Sequence, residues 1–508
     1  MKRRTGVAAV GVAVLLASLF SGGAGMANAV EQPRVAARAH IDDGSAATPP
    51  ARAGKWLVDA QGRVIVEHGW NIAQKEGSFW PDFLTEEDAR FLANQGFTTA
   101  RISFIWKGAE PAPGQYDEEY LKHVLGVNHM LAKYGISVLY DFHHNAWNVR
   151  GGAPDWATLG TDTGSSFQAF WEDRPAADGV GIQTRFINLW KHIAKLVNED
   201  PDRGNIVGFN PFNEPSPGTD TGCPAFGGAC PGWEQGQLFD FYEKMIAAVR
   251  STGNEHVIWP EGPPSSGIPH SMPLFEDEQV GYNFHFYCTV GFAAGWGNRY
   301  LTPAEQAECE RQKNVQLVYG FLASADQRNE PAFMSEFGCG DDPTDNARVV
   351  DAAGRAFASW ASWEYHLDGS NTGPCPGLLI DPKGGATMSN VKPPRLEATS
   401  VPYAHEIAGT PESYDFDRAT KTMTLTYGTA SVVTGKSFAK NKDAPTRIFV
   451  PAVQYPNGYK VAVTGGQILS KRTSAWVEIV AKNNAEHVTV TITPKAGSRT
   501  DLAYPEAR

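Results

Sequence analysis

The chain has 508 residues, 42% of them hydrophobic and 20% charged, which is ordinary globular composition with room for two or three domains. A net charge of −12, with no basic block beyond the first few residues, argues against nucleic acid as a partner and against tight docking on anionic membrane.

Lys2-Arg3-Arg4, an apolar run from Val7 to Phe20 and the small residues ending Ala27-Asn28-Ala29 read as a secretory signal peptide over 1–29, cut after Ala29. The expected product is a secreted protein. Residues 30–53, rich in Ala, Pro, Gly and Asp, read as a disordered linker. Trp56-Leu57-Val58 and Val64-Ile65-Val66 flank a polar Gln61-Gly62-Arg63 turn and predict a hairpin.

Apolar strand-like runs then recur at wide spacing: 66–71, 98–106, 136–143, 205–214, 256–261, 281–287, 331–337 and 359–365. Amphipathic stretches lie between them: Glu86–Asn94, Asp117–Tyr134, Thr184–Asn198, Gly236–Ser251, Pro303–Ser324 and Thr344–Trp360. Eight strands alternating with helices predict an α/β fold, a (β/α)8 TIM barrel over 54–410. After that the runs 422–427, 446–450, 459–463, 475–480 and 487–493 alternate apolar and polar residues between turns such as Pro456-Asn457-Gly458. They predict a C-terminal all-β sandwich over 411–508, with a packing or accessory role.

The cysteines are Cys223, Cys230, Cys288, Cys309, Cys339 and Cys375. An even number in an exported chain points to disulfides, and pairing of neighbours along the chain is the simplest scheme. Zinc ligation is the rival reading, and C-x-x-C spacing is lacking.

A βα barrel builds its active site at the C-terminal strand ends. Polar residues from most of the expected strands converge there: Lys75 after the first, Arg101 on the second, Asp141, His143 and His144 ending the third, Asn213 and Glu214 the fourth, His285 and Tyr287 the sixth, Glu336 the seventh and Trp363 the eighth. Glu214 and Glu336 each end an apolar run and precede a Pro or Gly turn. Two carboxyls on one face, one keeping its proton and one ionised, are the minimum for hydrolysing a glycosidic bond. Arg101 is placed to stabilise Glu336 as the ionised partner, and Tyr287 to hydrogen-bond it. Asn213 is expected at a sugar 2-hydroxyl and Trp363 beneath the sugar ring.

Asn213-Glu214-Pro215, Arg101, His143, His285-Phe286-Tyr287, Glu336-Phe337-Gly338 and Trp363, in this order, resemble glycoside hydrolase family 5. The resemblance implies a retaining mechanism with Glu214 as acid/base and Glu336 as nucleophile. Gly69–Lys75, Arg101–Pro111, Asp141-Phe142-His143 and the region after Ala408-Gly409-Thr410-Pro411 bring the chain nearer to bacterial endoglycoceramidases. That implies cleavage between the oligosaccharide and ceramide of a glycosphingolipid, with Lys75 and Asp141 at the sugar beside the cut. Pro211-Phe212 stands where two leucines are expected and His144 where glutamine is expected. These departures open the fine preference, including a specialisation for galactosyl ceramides.

Aromatic loops around the expected opening, including Phe79-Trp80, Trp106, Trp147, Phe170-Trp171 and Trp233, suit sugar stacking and acyl chains. Trp171 is the first candidate for a sugar platform, and the apolar loop Val290–Trp296 for a lipid groove. No metal or organic cofactor is called for, because acid, nucleophile and water complete the chemistry. The expected state is a monomer in transient contact with a micelle or membrane surface. An endo-β-glucanase or mannanase of the same fold, and a barrel kept only for carbohydrate binding, are the competing readings.

Overall fold

The structure, a computed structural model, describes residues 48–144, 152–223, 228–264, 267–296, 299–366 and 375–496. The signal peptide, the linker up to residue 47 and Trp147 lie outside the described residues, as does the side chain of Trp296.

Seven parallel strands form one curled sheet. Their spatial order is Ile206–Asn210, Ser137–Phe142, Thr99–Phe104, His68–Ile72, Ser359–Ser362, Ala332–Glu336 and Tyr282–His285. Residues 257–261 close the ring between its two ends. Ile258 bridges to Phe209 on one side and to Val280 on the other, and Glu261 bridges to Asn283. The fifth strand is reduced to bridges because Pro260 brings no N–H to the ladder. With that strand the expected (β/α)8 barrel is complete. Gly208 allows the closure: at φ 140° its backbone passes so close to Val257 that a β-carbon would lie 2.1 Å from the Val257 carbonyl oxygen.

The helical layer follows its pattern. Helix Ile182–Glu199 buries Ile182, Phe186, Leu189, Trp190, Ile193 and Val197, one stripe at a period of 3.6. Thr85 and Asp88 make a capping box at the start of Glu86–Asn94, and Asp342 caps Pro343–Arg355. That last helix stops short of the expected Trp360. Phe357 takes a left-handed φ of 53°, and Trp360 is buried in the eighth strand instead. The expected strand 205–214 ends at Asn210, before Pro211. The run 98–106 ends as a strand at Phe104 and turns into the short helix Trp106–Ala109. Val290–Trp296, read as a loop, lies in a helix, Thr289–Trp296.

The hairpin Trp56–Val58/Val64–Ile65 forms as expected. Its Leu57 and Ile65 join Leu139, Val207, Val257, Trp259, Phe333 and Ala361 in one apolar cluster inside the barrel. Residues Ala51–Ala53, at the end of the stretch read as linker, pair with Trp56–Val58. Val64–Ile65 in turn pairs with Tyr403–Ile407, so the N-terminal strands extend a C-terminal antiparallel sheet. That sheet continues through Thr446–Phe449, Trp476–Ala481 and Gly466–Ile468. A second antiparallel sheet orders Thr410–Asp417, Thr422–Gly428, His487–Pro494 and Tyr459–Thr464. All five C-terminal strands read from the sequence are present, and Tyr403–Ile407, Thr410–Asp417 and Gly466–Ile468 are additional. The β-domain is anchored on the barrel: Tyr403 donates its hydroxyl to the Gly96 carbonyl at 2.9 Å, and Phe449 packs against Gly96.

All six cysteines are paired as neighbours, Cys223–Cys230, Cys288–Cys309 and Cys339–Cys375, with Cα–Cα distances of 5.7, 5.3 and 4.7 Å. No helix among the described residues is long and apolar enough to cross a membrane.

Candidate active site

Arg101 organises the C-terminal mouth of the barrel. Its guanidinium is fully buried and every measured contact is with an oxygen from another barrel strand or strand end. Nη1 donates to Asn71 Oδ1 at 2.9 Å and to Glu336 Oε1 at 2.8 Å. Nη2 donates to Asn210 Oδ1 at 2.7 Å and Asn213 Oδ1 at 2.8 Å, and lies 3.0 Å from Asp141 Oδ2. The planar fork engages all of these oxygens at once, which a lysine ammonium with three donors does not do. Asn71 in turn donates to the carbonyls of Ser335 and Ala361, and Asn210 to that of Trp259. The same amides that orient the arginine therefore stitch the strands together.

Glu336 also accepts from Tyr287 Oη at 2.8 Å, so its two oxygens are met by two donors. Glu214 sits differently. It follows the Pro211–Asn213 turn in a left-handed backbone conformation, φ 47°, the kind of strain that persists where surrounding contacts over-determine it. Its side chain keeps 25% of its surface exposed, against 6% for Glu336, so Glu214 is the carboxyl open to the cleft. One oxygen from each carboxyl and a ring nitrogen of His285 all lie within 4.8 Å of one another. Burial pushes the Glu214 carboxyl above its usual range, and the charges of Lys75 and Arg101 limit the rise.

Around the pair, His285 places Nδ1 3.0 Å from Glu214 Oε1. Burial lowers its pKa to about 4, so the ring is neutral near pH 7. His143 stacks on Trp363 with ring centroids 5.0 Å apart, and its Nδ1 lies 3.0 Å from Asp141 Oδ2. Lys75 Nζ lies 4.7 Å from the centre of the Trp363 ring. Lys75, His143 and Trp363 thus form one wall beside the carboxyl pair.

The other expected site residues divide. Asn213 joins the group, but its oxygen is taken by Arg101 and one amide hydrogen by the His144 carbonyl at 3.1 Å. Asp141 has no exposed surface and serves as the shared anchor of Arg101 and His143, without an oxygen open to a sugar. Trp171 is not brought to the carboxyls. Its ring packs among Phe170, Phe212, Trp233 and Phe241, and its Nε1 donates to the Ser216 carbonyl at 2.8 Å. His144 is fully buried among Trp106, Phe142, Phe186 and Phe212.

Glu261 was missed by the sequence reading. It is a further carboxyl in the site, beside Glu214, Glu336 and Asp141, and its Oε1 accepts from the Glu214 backbone N–H at 3.2 Å. The signal that exposed Glu214 and Glu336 was present here too: an acidic residue closes the apolar run 256–261, and Gly262-Pro263-Pro264 follows. From Glu214 and Glu261 a cavity of about 320 Å³ extends between Pro264, Ile268, Phe292 and Phe321, a mainly apolar lining continuous with the carboxyl pair.

Residues 58–369, more than half of the chain, match the family described as Cellulase (glycosyl hydrolase family 5). The chain belongs to glycoside hydrolase family 5. The family 5 C-terminal domain matches residues 402–493, so the family's C-terminal domain starts ahead of residue 411 and includes the strand Tyr403–Ile407. Among family 5 relatives, Endoglycoceramidase I of Rhodococcus hoagii is 26% identical over 468 residues, covering 86% of this chain and 87% of its own. The fold is that of endo-glycoceramidase II from Rhodococcus sp. in its ganglioside GM3 complex, with a TM-score of 0.67 at 22% identity over 87% of this chain and 99% of that one. It is also that of an endogalactoceramidase, with a TM-score of 0.65 at 19% identity over 88% of this chain and 100% of that one.

Proposed function

We propose that this chain is a retaining endoglycoceramidase, cleaving the β-glycosidic bond between the oligosaccharide and the ceramide of a glycosphingolipid. The observation that carries the retaining mechanism is the spacing of Glu214 and Glu336, whose nearest oxygens lie within 4.8 Å. A retaining pair stands about 5 Å apart, whereas an inverting pair stands about 6.5–9.5 Å apart to admit a water.

In the first half-reaction Glu336 attacks the anomeric carbon. Glu214 passes its proton to the glycosidic oxygen, which leaves as the primary hydroxyl of ceramide. In the second, Glu214 takes a proton from water, the hydroxide adds to the anomeric carbon, and Glu336 is released with the configuration retained. Arg101 and Tyr287 donate to Glu336 and favour its negative charge before attack. Burial raises the Glu214 pKa, the direction an acid needs. Lys75, His143, Trp363 and the remaining amide hydrogen of Asn213 face the sugar, and no metal or organic cofactor takes part.

The lipid half of the proposal rests on the apolar cavity beside Glu214 and on the two glycoceramidase relatives that align along most of the chain. Phe292, from the segment proposed as a lipid groove, is among its lining residues. Ile268 lines that cavity and is also 42% exposed, so acyl chains entering from a micelle or membrane surface meet an apolar edge. The exported, monomeric state belongs to the same reading, with cleavage after Ala29. The three disulfides support export.

Thin-layer chromatography of the purified protein with ganglioside, galactosyl-series glycolipid and soluble β-glucan or mannan tests the reading. Intact oligosaccharide plus ceramide from either glycolipid is the expected result, and the comparison of the two sets the headgroup preference. Cleavage of the soluble polysaccharides alone overturns it in favour of an endoglucanase or mannanase, the activity suggested by the family's cellulase description.

A further inference from the structure

The reaction above uses Glu214 and Glu336, Asp141 anchors Arg101 and His143, and Glu261 is left without a part. Glu261 is 2% exposed at the end of the fifth barrel strand. Its Oε1 lies 3.3 Å from His285 Nε2. Its Oε2 accepts from Asn283 Nδ2 at 3.4 Å and stands 3.9 Å from Arg101 Nη2. On the far side of the ring, His285 Nδ1 lies 3.0 Å from Glu214 Oε1 and 3.4 Å from Glu336 Oε2. The imidazole therefore stands between Glu261 and the reacting pair.

Proton accounting fixes what Glu261 must be. A neutral imidazole carries one N–H. Nδ1 faces an oxygen of Glu336, and in the ionised nucleophile that oxygen is an acceptor. A bare nitrogen lone pair there would oppose it, so the hydrogen belongs on Nδ1. Nε2 is then an acceptor as well, with the Glu261 oxygen 3.3 Å away. Nε2 is buried without a hydrogen-bond partner among the described residues, and a second acceptor this close costs free energy; a proton on the carboxyl supplies the donor that Nε2 lacks.

We propose that Glu261 is a positioning residue that works as a neutral acid, donating its carboxyl proton to His285 Nε2 and so fixing the Nδ1–H tautomer that links Glu214 to Glu336. The proposal rests on the role given to Glu336 as ionised nucleophile. Charge balance agrees. Arg101 lies 2.8 Å from Glu336 and 3.0 Å from Asp141 and stands back at 3.9 Å from Glu261, so an ionised Glu261 adds a third carboxylate to one guanidinium. Burial drives the Glu261 carboxyl well above its usual range; Arg101 and the hydrogen bond from the Glu214 backbone N–H oppose that, and the charges of Glu214 and Glu336 add to it. The consequence for the reaction is directional. Nδ1–H engages Oε1 of Glu214, which leaves Oε2 to carry the acid proton toward the leaving oxygen. No proton travels through Glu261.

The test uses the full chain with Glu261→Gln and Glu261→Met. Glutamine keeps a donor for Nε2; methionine keeps the bulk and removes it. Nitrogen-15 NMR of the histidine rings, with His285→Gln identifying the signal, is expected to show protonated Nδ1 and bare Nε2 in the native protein and in Glu261→Gln. An Nε2–H tautomer or an imidazolium in the native protein overturns the proposal. On 4-nitrophenyl β-lactoside, a probe without ceramide, Gln is expected to lose less than about fivefold in kcat and Met about fiftyfold, with KM within about twofold. Equal losses in the two variants overturn the donor role. Failure of the glycolipid reading shows elsewhere, as native protein that leaves ganglioside intact.

Discussion

Arg101 and Glu336 stand 235 residues apart in sequence and 2.8 Å apart in space, joined by a charge-assisted hydrogen bond under a fully buried guanidinium. Arg101 is also the common partner of Asn71, Asn210, Asn213 and Asp141. Its replacement by lysine keeps the charge and loses the fork. Arg101→Lys is expected to lower kcat/KM about 10³-fold and to destabilise the fold by about 3 kcal/mol, because Asp141 is left poorly paired in the interior. Steady-state kinetics and denaturant unfolding check both; near-native activity contradicts the role of Arg101.

The two catalytic candidates are separable by chemistry. Glu336→Gln is expected to abolish turnover of every substrate, by about 10³-fold or more. Glu214→Gln should lose as much on glycolipid but far less on a dinitrophenyl glycoside, whose leaving group needs no proton. Circular dichroism should show both variants folded. Full activity in either one removes the assignment.

The alkaline limb of kcat/KM reports loss of the acid's proton in the free enzyme. Burial raises the Glu214 pKa, and Lys75 is the first charge opposing the rise. Removing that cation lets the pKa climb further. Lys75→Met is therefore expected to move the alkaline limb upward while raising KM. A limb that moves downward shows that Lys75 does not act on Glu214.

Glu110 is a buried carboxyl away from the reacting pair, accepting from Trp106 Nε1 at 2.8 Å and the Gly114 N–H at 2.7 Å. Burial raises its pKa to about 7. A carboxyl whose folded pKa lies above its unfolded value contributes stability that is complete below the unfolded value, near 4.3, and lost as pH rises through 7. The stability of the native chain relative to Glu110→Gln should fall by about 3 kcal/mol between pH 4 and pH 8. Paired unfolding curves at the two pH values check the sign; a difference independent of pH contradicts it.

Cys339–Cys375 closes a separation of 36 residues and packs with Ala73 and Trp363, against Tyr287 and Phe292. The double Cys→Ser variant is expected to lose about 4 kcal/mol of stability and part of its activity. Thermal unfolding with and without reductant measures the first, and kinetics the second.

Local pattern carried most of the architecture. A buried parallel strand needs both faces apolar, so the runs 136–143 and 331–337 could be read directly. Helix Glu86–Asn94 was bounded by its Thr85 cap and its amphipathic stripe. Glu214 and Glu336 were legible because a carboxylate closing such a run is costly unless it serves something, and neighbour pairing of the cysteines followed from chain order. Where the sequence reading ran too long, at Trp360 and at Glu214, the end was set by a single left-handed residue or a proline, which periodicity does not register.

Tertiary structure decided what depends on approach between distant segments. Whether an aromatic faces a cleft or a core is fixed by what packs against it, and Phe212, Trp233 and Phe241 claim Trp171 for the core. The anchoring role of Asp141, the plugging of the barrel by Leu57 and Ile65, and the extension of the β-domain by the N-terminal strands all arise from contacts across long sequence separations. So does the protonation logic of the site. The sequence by itself determined that Glu214 and Glu336 end strands and pointed to Arg101 and Tyr287 as the partners of Glu336; the folded chain alone determined that Glu214 is the open one and that Glu261 stands behind His285, because burial and hydrogen-bond partners are properties of the space between strands rather than of any one of them.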